Sequence, residues 1–466
     1  MRKLYWYLTT YAKKHGAILI TSVVIAIAVF SFIVPSLISV IENKKTQYVG
    51  LIGDFNIDTL PIEVTGKLSA GLTKINPDGT VEPLLAQRWS TEQEGKTYRF
   101  ILKEGIFFRD GRELTTQDIT YYFPNVETIV TPNDIVFKLP DSFAPFPVAV
   151  SQPILRKENQ THKVLLTRPT LIGIGPYSLT DYEKIGNRIS EVRLEGRDDK
   201  YIYRFYLTEK DAVTAFKHGE VDLLPGLSQA FDIVDWKSAK VTKETDFSKY
   251  LAVFFNMREQ KFTKNIRQAL SYAIDKPTDE SRALGPISPE SWAYLPALKT
   301  YDKDIERGIE RILDEPPQEK LEFNLTTTST YQPIAEEIIK QWEEFGQKAF
   351  ESCQASSTIK EKSVCENMKI KTSLKITNFP DTSNFELLLI GQESPPDPDQ
   401  YQLWHSGEST NFTGYKNTRI DNLLEKGRQT TNFQERKEIY QEFQQFFLED
   451  APAIFIKHLD SYTISR

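Results

Sequence analysis

The longest apolar stretch of the chain lies near its N-terminus. Residues 16–41 include no charged side chain. As a helix they would extend about 39 Å, which exceeds the roughly 30 Å hydrocarbon core of a bilayer. Four basic residues precede this stretch, namely Arg2, Lys3, Lys13 and Lys14. Just after it there are two, Lys44 and Lys45. The pattern predicts a transmembrane anchor over 16–41, a cytoplasmic basic segment over 1–15, and an extracytoplasmic remainder.

A cleaved signal peptide is the alternative interpretation of the same stretch. Ala26-Ile27-Ala28 has the small-x-small pattern of a cleavage site. Thirteen more uncharged residues follow Ala28, whereas a cleavage site normally ends the apolar run. We therefore favour a retained anchor that places the protein in the cell membrane with a single span.

Strand and helix patterns alternate along the rest of the chain. Short alternating or continuous apolar runs predict strands at 47–52, 98–102, 251–256, 321–325, 385–390 and 453–456. Apolar residues spaced three and four apart predict helices between them, one of which carries the stripe Ile334, Ile338, Ile339, Trp342, Phe345 and Ala349. This alternation is typical of the α/β class.

Capping residues predict where several helices begin. Thr115 and Asp118 have the spacing of a capping box. Pro124 should end that helix near Phe123, because proline lacks the backbone donor and clashes with the preceding turn. Further helix starts are predicted at Thr263, Thr418 and Asn432.

Length and charge narrow the function. A chain of 466 residues is longer than one hydrophobic core normally serves, which predicts two or three domains. Its formal net charge of -7 argues against a sequence-independent nucleic-acid binder, since that class needs a basic face to neutralise phosphates. No nucleic-acid partner is therefore predicted.

No familiar catalytic motif is present in the sequence. It lacks GxSxG, HExxH and GxxxxGK[ST] patterns. Gly173-Ile174-Gly175 is followed by Pro176 and lacks the third glycine of a dinucleotide loop. Asp397 and Asp399 could form a glycosidase pair, but they lie among prolines and not on facing strands. We predict a protein that is not an enzyme and has no catalytic residue, cofactor or metal.

The chain has two cysteines, Cys353 and Cys365, in a polar stretch. Outside the cytoplasm they could form a disulfide that closes a short loop. Two free thiols on a surface insertion are the alternative. A metal site is disfavoured, because the sulfurs are twelve residues apart and no histidine is close in sequence.

Three separated stretches carry a family resemblance. The first contains Ala86-x-x-Trp89 and Asp110-Gly111, the second Ile266-Arg267-Gln268-Ala269-Leu270, and the third Asp397-Pro398-Asp399. Together and in this order they resemble the family 5 extracellular solute-binding proteins, the peptide-, dipeptide- and nickel-type receptors of ABC importers. The resemblance covers roughly residues 46 to 462.

The resemblance implies an architecture and a role. It implies a periplasmic-binding-protein-like clamp of two α/β lobes (type II, the large cluster C type), with lobe I formed by 46–256 plus 453–466 and lobe II by 257–452. Such a protein would capture a peptide or small solute and pass it to an ABC permease that is driven by a separate ATPase. A membrane-anchored peptide sensor that uses the same clamp without transport is the alternative, and a peptide-processing enzyme is a third.

The resemblance also points to ligand-binding residues. In peptide-binding relatives an aspartate three residues before the Asp-Pro pair contacts the ligand's α-ammonium, and here Ser394 takes that position. Glu393 is the nearest carboxylate, but neighbouring residues of a strand point to opposite faces, which favours a ligand without that anchor. The remaining candidates are Asp399, Tyr401, Trp404, Trp292 and Tyr294, the last two in a proline-containing loop similar to one at the family's cleft.

For some of these residues a structural role is equally open. Tyr401 and Trp404 could line the cleft or belong to the core, and their spacing favours the core. For Asp397 we favour a structural role at the end of a buried strand.

Overall fold

The computed structural model describes residues 6, 14–17, 21–27, 29, 45–162, 166–233, 236–356 and 362–466. Its strands are β1 (Lys45–Ile52), β2 (Thr73–Ile75), β3 (Val81–Pro83), β4 (Ala86–Glu92), β5 (Thr97–Leu102), β6 (Glu127–Val130), β7 (Asp134–Lys138), β8 (Arg156–His162), β9 (Leu166–Ile172), β10 (Ser178–Ile185), β11 (Arg188–Glu195), β12 (Asp199–Tyr206), β13 (Leu223–Leu227), β14 (Lys240–Phe255), β15 (Leu321–Thr327), β16 (Ile370–Ile376), β17 (Leu387–Glu393) and β18 (Ala453–Ser465).

Helices alternate with these strands, as predicted. From residue 45 onward they are α1 (Ile62–Leu68), α2 (Phe146–Ala149), α3 (Glu209–His218), α4 (Lys264–Tyr272), α5 (Ile305–Asp314), α6 (Gln332–Ala355), α7 (Tyr401–Trp404), α8 (Thr418–Gln429) and α9 (Phe433–Glu449). The predicted strands are confirmed in position, although β14 and β18 are longer than expected and β17 begins two residues later.

The described residues form two compact units, of which the first comprises those within Met1–Asn56 and Tyr177–Leu223. Its strands lie in the order β10–β11–β12–β1, with β1 parallel to β12 and the other pairs antiparallel. Helix α3 contacts β1 and β12. Thr208 caps α3 by accepting a hydrogen bond from the Asp211 N–H, and Gly219 ends it at a φ of 79°.

The second unit comprises Ile57–Pro176 and Leu224–Arg466, and its main sheet contains β18–β14–β17–β15–β16 in that order. β14 is antiparallel to both β18 and β17, whereas β15 is parallel to β17 and β16. A separate apolar core covers each face of this sheet. Helices α4 and α6 contribute to one core, and α8 and α9 contribute to the other.

Alternating side chains of β14 supply both cores. Leu251 and Val253 lie in the core with α4 and α6, whereas Ala252 and Phe254 lie in the core with α8 and α9. All four are fully buried. The continuous apolar run of this strand therefore reflects burial on both faces, as is usual for a sheet between helical layers.

The ladder between β14 and β18 is interrupted by a bulge. Asp246 pairs with Leu459 and Tyr250 pairs with His458. Leu459 and His458 are adjacent in β18, so the three residues of β14 between Asp246 and Tyr250 have no ladder partner there. His458 is buried there; its Nδ1 lies 3.1 Å from the Lys249 carbonyl oxygen and its backbone N–H donates to Ser281. The bulge therefore has a buried imidazole on its inner side.

Two predicted helix caps are confirmed and two need correction. Thr115 and Asp118 form the capping box, and the Asn432 side chain accepts from the Glu435 N–H. The helix predicted from Thr115 to near Phe123 is one turn only, Thr116–Asp118, because Ile119 leaves helical geometry and packs into the core.

The other two predicted caps are corrected as follows. The cap of α8 is Asn417 and not Thr418, because the Asn417 side chain accepts from the backbone N–H groups of Arg419 and Ile420. Thr263 occupies the cap position of α4, but its side chain makes no capping hydrogen bond.

A second, smaller sheet lies within residues 57–176. Its order is β4–β5–β7–β6, all antiparallel. Tyr98, Phe100, Phe137 and Phe146 form an aromatic core beside it, with ring centroids 5.0 to 6.4 Å apart. This sheet positions one wall of the cavity described below.

Residues 57–176 contact residues 257–452 inside the second unit. The Trp292 N–H donates to the Asp78 oxygen at 2.8 Å, and the Ala144 N–H donates to the Arg428 oxygen at 2.7 Å. Gly79 has a φ of 81°, and a Cβ there would lie 2.1 Å from the Pro396 carbonyl oxygen, so the contact requires glycine. The predicted lobe boundaries at 256/257 and 452/453 both fall inside this unit, and the lobe assignment stays a prediction.

Cys353 and Cys365 form a disulfide with their Cα atoms 5.6 Å apart. Cys353 is near the end of α6, and both residues are fully buried against the core that α6 helps to form. The bond therefore joins the end of α6 to Cys365 inside that core.

Most of the predicted membrane segment 16–41 lies outside the described residues, which include only 16, 17, 21–27 and 29 of it. Among the residues that are described, every helix is too short or too polar to cross a bilayer.

Candidate functional site

The predicted ligand-binding residues fall in several places of the second unit. Glu393 lines an open groove at the end of β17, which we call the strand-end groove. Its volume is about 470 Å³, and its lining residues are Lys249, Thr328, Tyr331, Pro380, Thr382, Ile390, Gly391, Gln392, Glu393 and Leu459. Sequence reasoning missed all of these except Glu393.

Opposite charges meet in the strand-end groove. Glu393 is exposed and is the ladder partner of Lys249 on β14. The Lys249 ammonium donates to the Asp246 carboxylate at 2.9 Å, which raises the pKa of Lys249. The groove thus presents a cation and a carboxylate side by side, and Gln392 is a further polar residue of its lining. Such a pair suits a ligand with polar groups.

The end of β17 has one unpaired edge. β15 pairs with β17 only as far as Leu389, whereas β14 continues to pair with it as far as Glu393. Within the described residues, Ile390 to Glu393 therefore have a ladder partner on one side only. An extended peptide could add its main chain to such an edge.

Gly391 keeps the groove open at this edge. A Cβ at Gly391 would lie 3.0 Å from both the Tyr331 hydroxyl and a Leu459 methyl group. Both contacts are tighter than ordinary van der Waals distance. A larger residue would therefore displace the groove lining.

Ser394 points away from the strand-end groove. Its hydroxyl donates to the Pro286 oxygen at 2.8 Å, its N–H donates to the Ser248 oxygen at 2.7 Å, and the residue is 4% exposed. Its role in this structure is to fix the chain after β17. The contact of Ser394 with a ligand stays a prediction, and in this structure its hydroxyl and N–H groups are bonded inside the protein.

Two ion pairs hold the segment that follows. Arg436 forms a bidentate pair with Asp397, at 2.6 and 2.7 Å, and also donates from Nε to the Gly427 oxygen. Arg428 donates to Asp399 at 2.9 to 3.0 Å. Asp397 also accepts the Asp399 N–H. The structural role that the sequence favoured for Asp397 fits these contacts.

Burial and the paired charges shift these groups in different directions. Burial raises the pKa of Asp399, although Arg428 opposes the shift. Burial alone would lower the pKa of Arg436, but the Asp397 carboxylate raises it above its ordinary value. The Asp399 carboxylate is thus bound by an arginine in this structure, and its contact with a ligand stays a prediction.

The other predicted aromatic residues have separate environments. The Tyr401 ring lies 3.9 Å from the Arg428 guanidinium carbon and stacks on His405, so it covers an ion pair. Trp404 is fully buried and packs on Phe254 and Phe447. Its contact with a ligand stays a prediction, and its complete burial fits the core role that the spacing favoured.

Trp292 and Tyr294 are both half-buried. Burial raises the pKa of Tyr294, which lines neither the strand-end groove nor the cavity described next. Trp292 lies in the wall of that cavity.

A second opening, which we call the aromatic cavity, has a volume of about 330 Å³. It lies between residues 79–148 and residues 292–436. Its lining residues are Gly79, Thr80, Val81, Trp89, Thr91, Tyr98, Ala144, Pro147, Val148, Trp292, Asp397, Thr431, Phe433 and Arg436.

Two arginines that organise this region were missed by sequence reasoning. Arg436 lies in the helix whose start was predicted at Asn432, so its position was visible but its partner was not. Arg428 had no such signal. Within the described ranges no group of three or more His, Cys, Asp or Glu side chains is arranged to hold a metal ion.

Comparisons with known proteins agree with this architecture. The sequence matches the family profile described as bacterial extracellular solute-binding proteins, family 5, over residues 80–134 and 126–411, which is more than half of the chain. It is 23% identical over 493 residues to the oligopeptide-binding protein AppA of Bacillus subtilis, covering 89% of this chain and 86% of that protein.

Solved structures show the same fold. NikZ from Campylobacter jejuni, in complex with Ni(L-His), superposes with a TM-score of 0.67 at 21% identity, covering 91% of this chain and 94% of that one. Bacillus subtilis AppA, in complex with a nonapeptide, gives a TM-score of 0.60 at 18% identity, covering 91% and 95%. The fold is therefore that of a two-lobe α/β periplasmic binding protein.

Proposed function

The chain belongs to the family 5 bacterial extracellular solute-binding proteins, and from this premise we propose that it captures peptides or similar small solutes for an ABC importer. Its partners would be the ligand, an ABC permease and the ATPase of that permease. The observation that carries the proposal is the strand-end groove, where an unpaired edge of β17 lies beside Lys249 and Glu393.

This edge suits a ligand with a peptide main chain. Backbone N–H and C=O groups of Ile390 to Glu393 that have no partner from β15 can bond to an extended peptide, whatever its side chains are. Lys249 and Glu393 then supply a charge of each sign for the polar groups of the ligand. The name of the Bacillus relative and the nonapeptide in its structure support a peptide as the ligand of this chain. The Ni(L-His) bound by NikZ makes a nickel complex the alternative ligand.

The proposal includes a membrane anchor. The uncharged run 16–41 and the basic residues before it support a single span with the binding domain outside the cytoplasm. A membrane-anchored sensor that uses the same fold without transport is the second candidate. Uptake assays distinguish the two roles. Deleting the protein should abolish ligand uptake if it serves an importer, and should leave uptake unchanged if it is a sensor.

Mass spectrometry of the ligand that co-purifies tests the function. We expect the full-length protein in detergent to release peptides when it is unfolded. A double variant, Lys249→Met with Glu393→Gln, should release much less, because it removes both charges from the groove. Release of cleaved products in catalytic amounts from added peptides would instead support an enzyme.

A matched control makes the same two types of substitution outside the groove. Lys340→Met with Glu344→Gln alters two exposed residues of α6. This control should release as much ligand as the parent protein. Equal release from the groove variant would mean that the strand-end groove is not the binding site.

A further inference from the structure

The aromatic cavity has walls from two segments that are far apart in sequence. Trp89 and Tyr98 come from the small sheet, on β4 and β5, and Trp292 and Phe433 come from the other side. The Trp292 and Phe433 ring centroids are 4.7 Å apart. Four aromatic rings thus surround one opening, which favours a planar ring as the occupant, because stacked and edge-on ring contacts add to simple apolar burial.

The charged groups in the cavity wall neutralise each other. The two Asp397 oxygens accept from the Arg436 guanidinium, so the wall has no net charge. A charged ligand would have to compete with this buried pair. The occupant that fits is therefore uncharged.

Arg436 retains one donor. A guanidinium has five N–H groups. Nε donates to Gly427, Nη1 to Asp397, and Nη2 to Asp397 and Tyr440. Among the described residues, one Nη1 proton has no acceptor. An oxygen on the ligand ring could accept it.

The entrance and the size of the cavity also limit the occupant. Phe433, the first residue of α9, is 52% exposed although its ring packs on Trp292. Thr91 and Thr431 also line the cavity, and both residues are exposed. A volume of about 330 Å³ is at the lower end of small-molecule sites, which leaves room for one small ring system.

We propose that the aromatic cavity is a second binding site, separate from the strand-end groove, for a small uncharged phenol-like compound. The ring would lie among Trp89, Trp292 and Phe433, with its oxygen toward Arg436. Because the walls come from two segments, the bound compound would also hold residues 57–176 against residues 257–452.

Calorimetric titration of the full-length protein with p-cresol tests the site. We expect saturable binding of one molecule per chain, and 4-methylcyclohexanol should bind more weakly by roughly 2- to 10-fold, the range expected for one aromatic contact. Absence of saturable p-cresol binding would overturn the proposal. Equal binding of the two alcohols would overturn the preference for an aromatic ring.

Variants of cavity residues test whether p-cresol binds in the aromatic cavity. Thr91→Trp should abolish p-cresol binding by filling the entrance, whereas Thr128→Trp, the same change on an exposed position of β6 outside the cavity, should leave it unchanged. Phe433→Leu should weaken it roughly 2- to 10-fold and Phe433→Tyr should preserve it. If Thr91→Trp does not fold, the two Phe433 variants decide, and equal binding by all of them would contradict the assignment.

A further variant separates this site from the proposed solute site. Glu393→Gln changes the strand-end groove only, so p-cresol binding should stay unchanged. Loss of p-cresol binding in that variant would mean that the compound occupies the groove, which would overturn the second site. Failure of p-cresol to bind anywhere would leave the solute-binding function of the groove unaffected.

Discussion

The Arg436 guanidinium and the Asp397 carboxylate face each other in a bidentate pair, with each side chain less than a tenth exposed. Asp397 belongs to the Asp-Pro-Asp stretch and Arg436 to the end of the first turn of α9. The pair therefore fixes the chain after β17 to the helix that closes one core.

Breaking this pair should be costly. Asp397→Asn keeps the shape but removes the charge, leaving the Arg436 guanidinium buried without a counterion. We expect a loss of about 3–5 kcal/mol in the apparent free energy of unfolding, measured with urea. Lys74→Gln, which breaks the exposed pair Lys74–Glu82, is the control and should change stability little. A small effect of Asp397→Asn would contradict the structural role of the pair.

The disulfide should be present in the purified protein. Because Cys353 and Cys365 are the two cysteines of the chain, a thiol reagent should find no free thiol after unfolding without reductant. Replacing both with serine should lower stability by up to about 3 kcal/mol in the chain-entropy model for a loop of this size. Two reactive thiols per chain would show that the bond does not form.

The ligand's α-amine should contribute little to binding. Ser394 is bonded inside the protein, and Lys249 lies beside Glu393 and offsets its negative charge. We expect one peptide to bind with affinities within tenfold in its free and N-acetylated forms, by calorimetry. If Glu393 does anchor the amine, Glu393→Gln should instead cost at least about 1.5 kcal/mol, and acetylation should have a similar effect.

Stability should depend on His458 at mildly acidic pH. Burial lowers the pKa of His458 below its ordinary value of 6.5. The unfolded chain then takes up the proton at a higher pH than the folded one, so this contribution is complete above about pH 6.5 and is lost as the pH falls toward the folded pKa. His458→Gln should lose less stability than the parent protein between pH 7.5 and 5.5. Parallel losses in both proteins would exclude this cause.

The N-terminal segment should remain attached. The uncharged run continues for thirteen residues after Ala28, so we expect N-terminal sequencing of membrane-extracted protein to begin before residue 16. Protease added outside intact cells should digest the binding domain. A mature N-terminus at Val29 or later would identify a signal peptide instead.

Local patterns predicted the elements but not all of their partners. The capping box of Thr115 and Asp118 involves four consecutive residues, so the local sequence was sufficient to predict it. The cap of α8 was misplaced by one residue because both Asn417 and Thr418 are good capping residues, and only the backbone geometry decides between them.

Long-range contacts were beyond the reach of such patterns. The partners Asp397 and Arg436 are 39 residues apart in sequence, and no spacing rule connects them. The contact between Asp78 and Trp292 likewise joins segments that the sequence assigned to different lobes. For the candidate site, sequence reasoning found Glu393 but not Lys249, because their proximity exists only through the pairing of β14 and β17.

The pairing of β14 with β18 also orders the events of folding. Phe254 pairs with Ala453, nearly two hundred residues later, so the apolar end of β14 has no β18 partner until the ribosome has made residues 453–465. Long-range pairs of this kind form slowly, because a large loop must close before the contact is gained. Until then the Leu251–Phe254 run is an unprotected aggregation-prone edge, and a holdase chaperone that covers it during synthesis and export would raise the yield of folded protein.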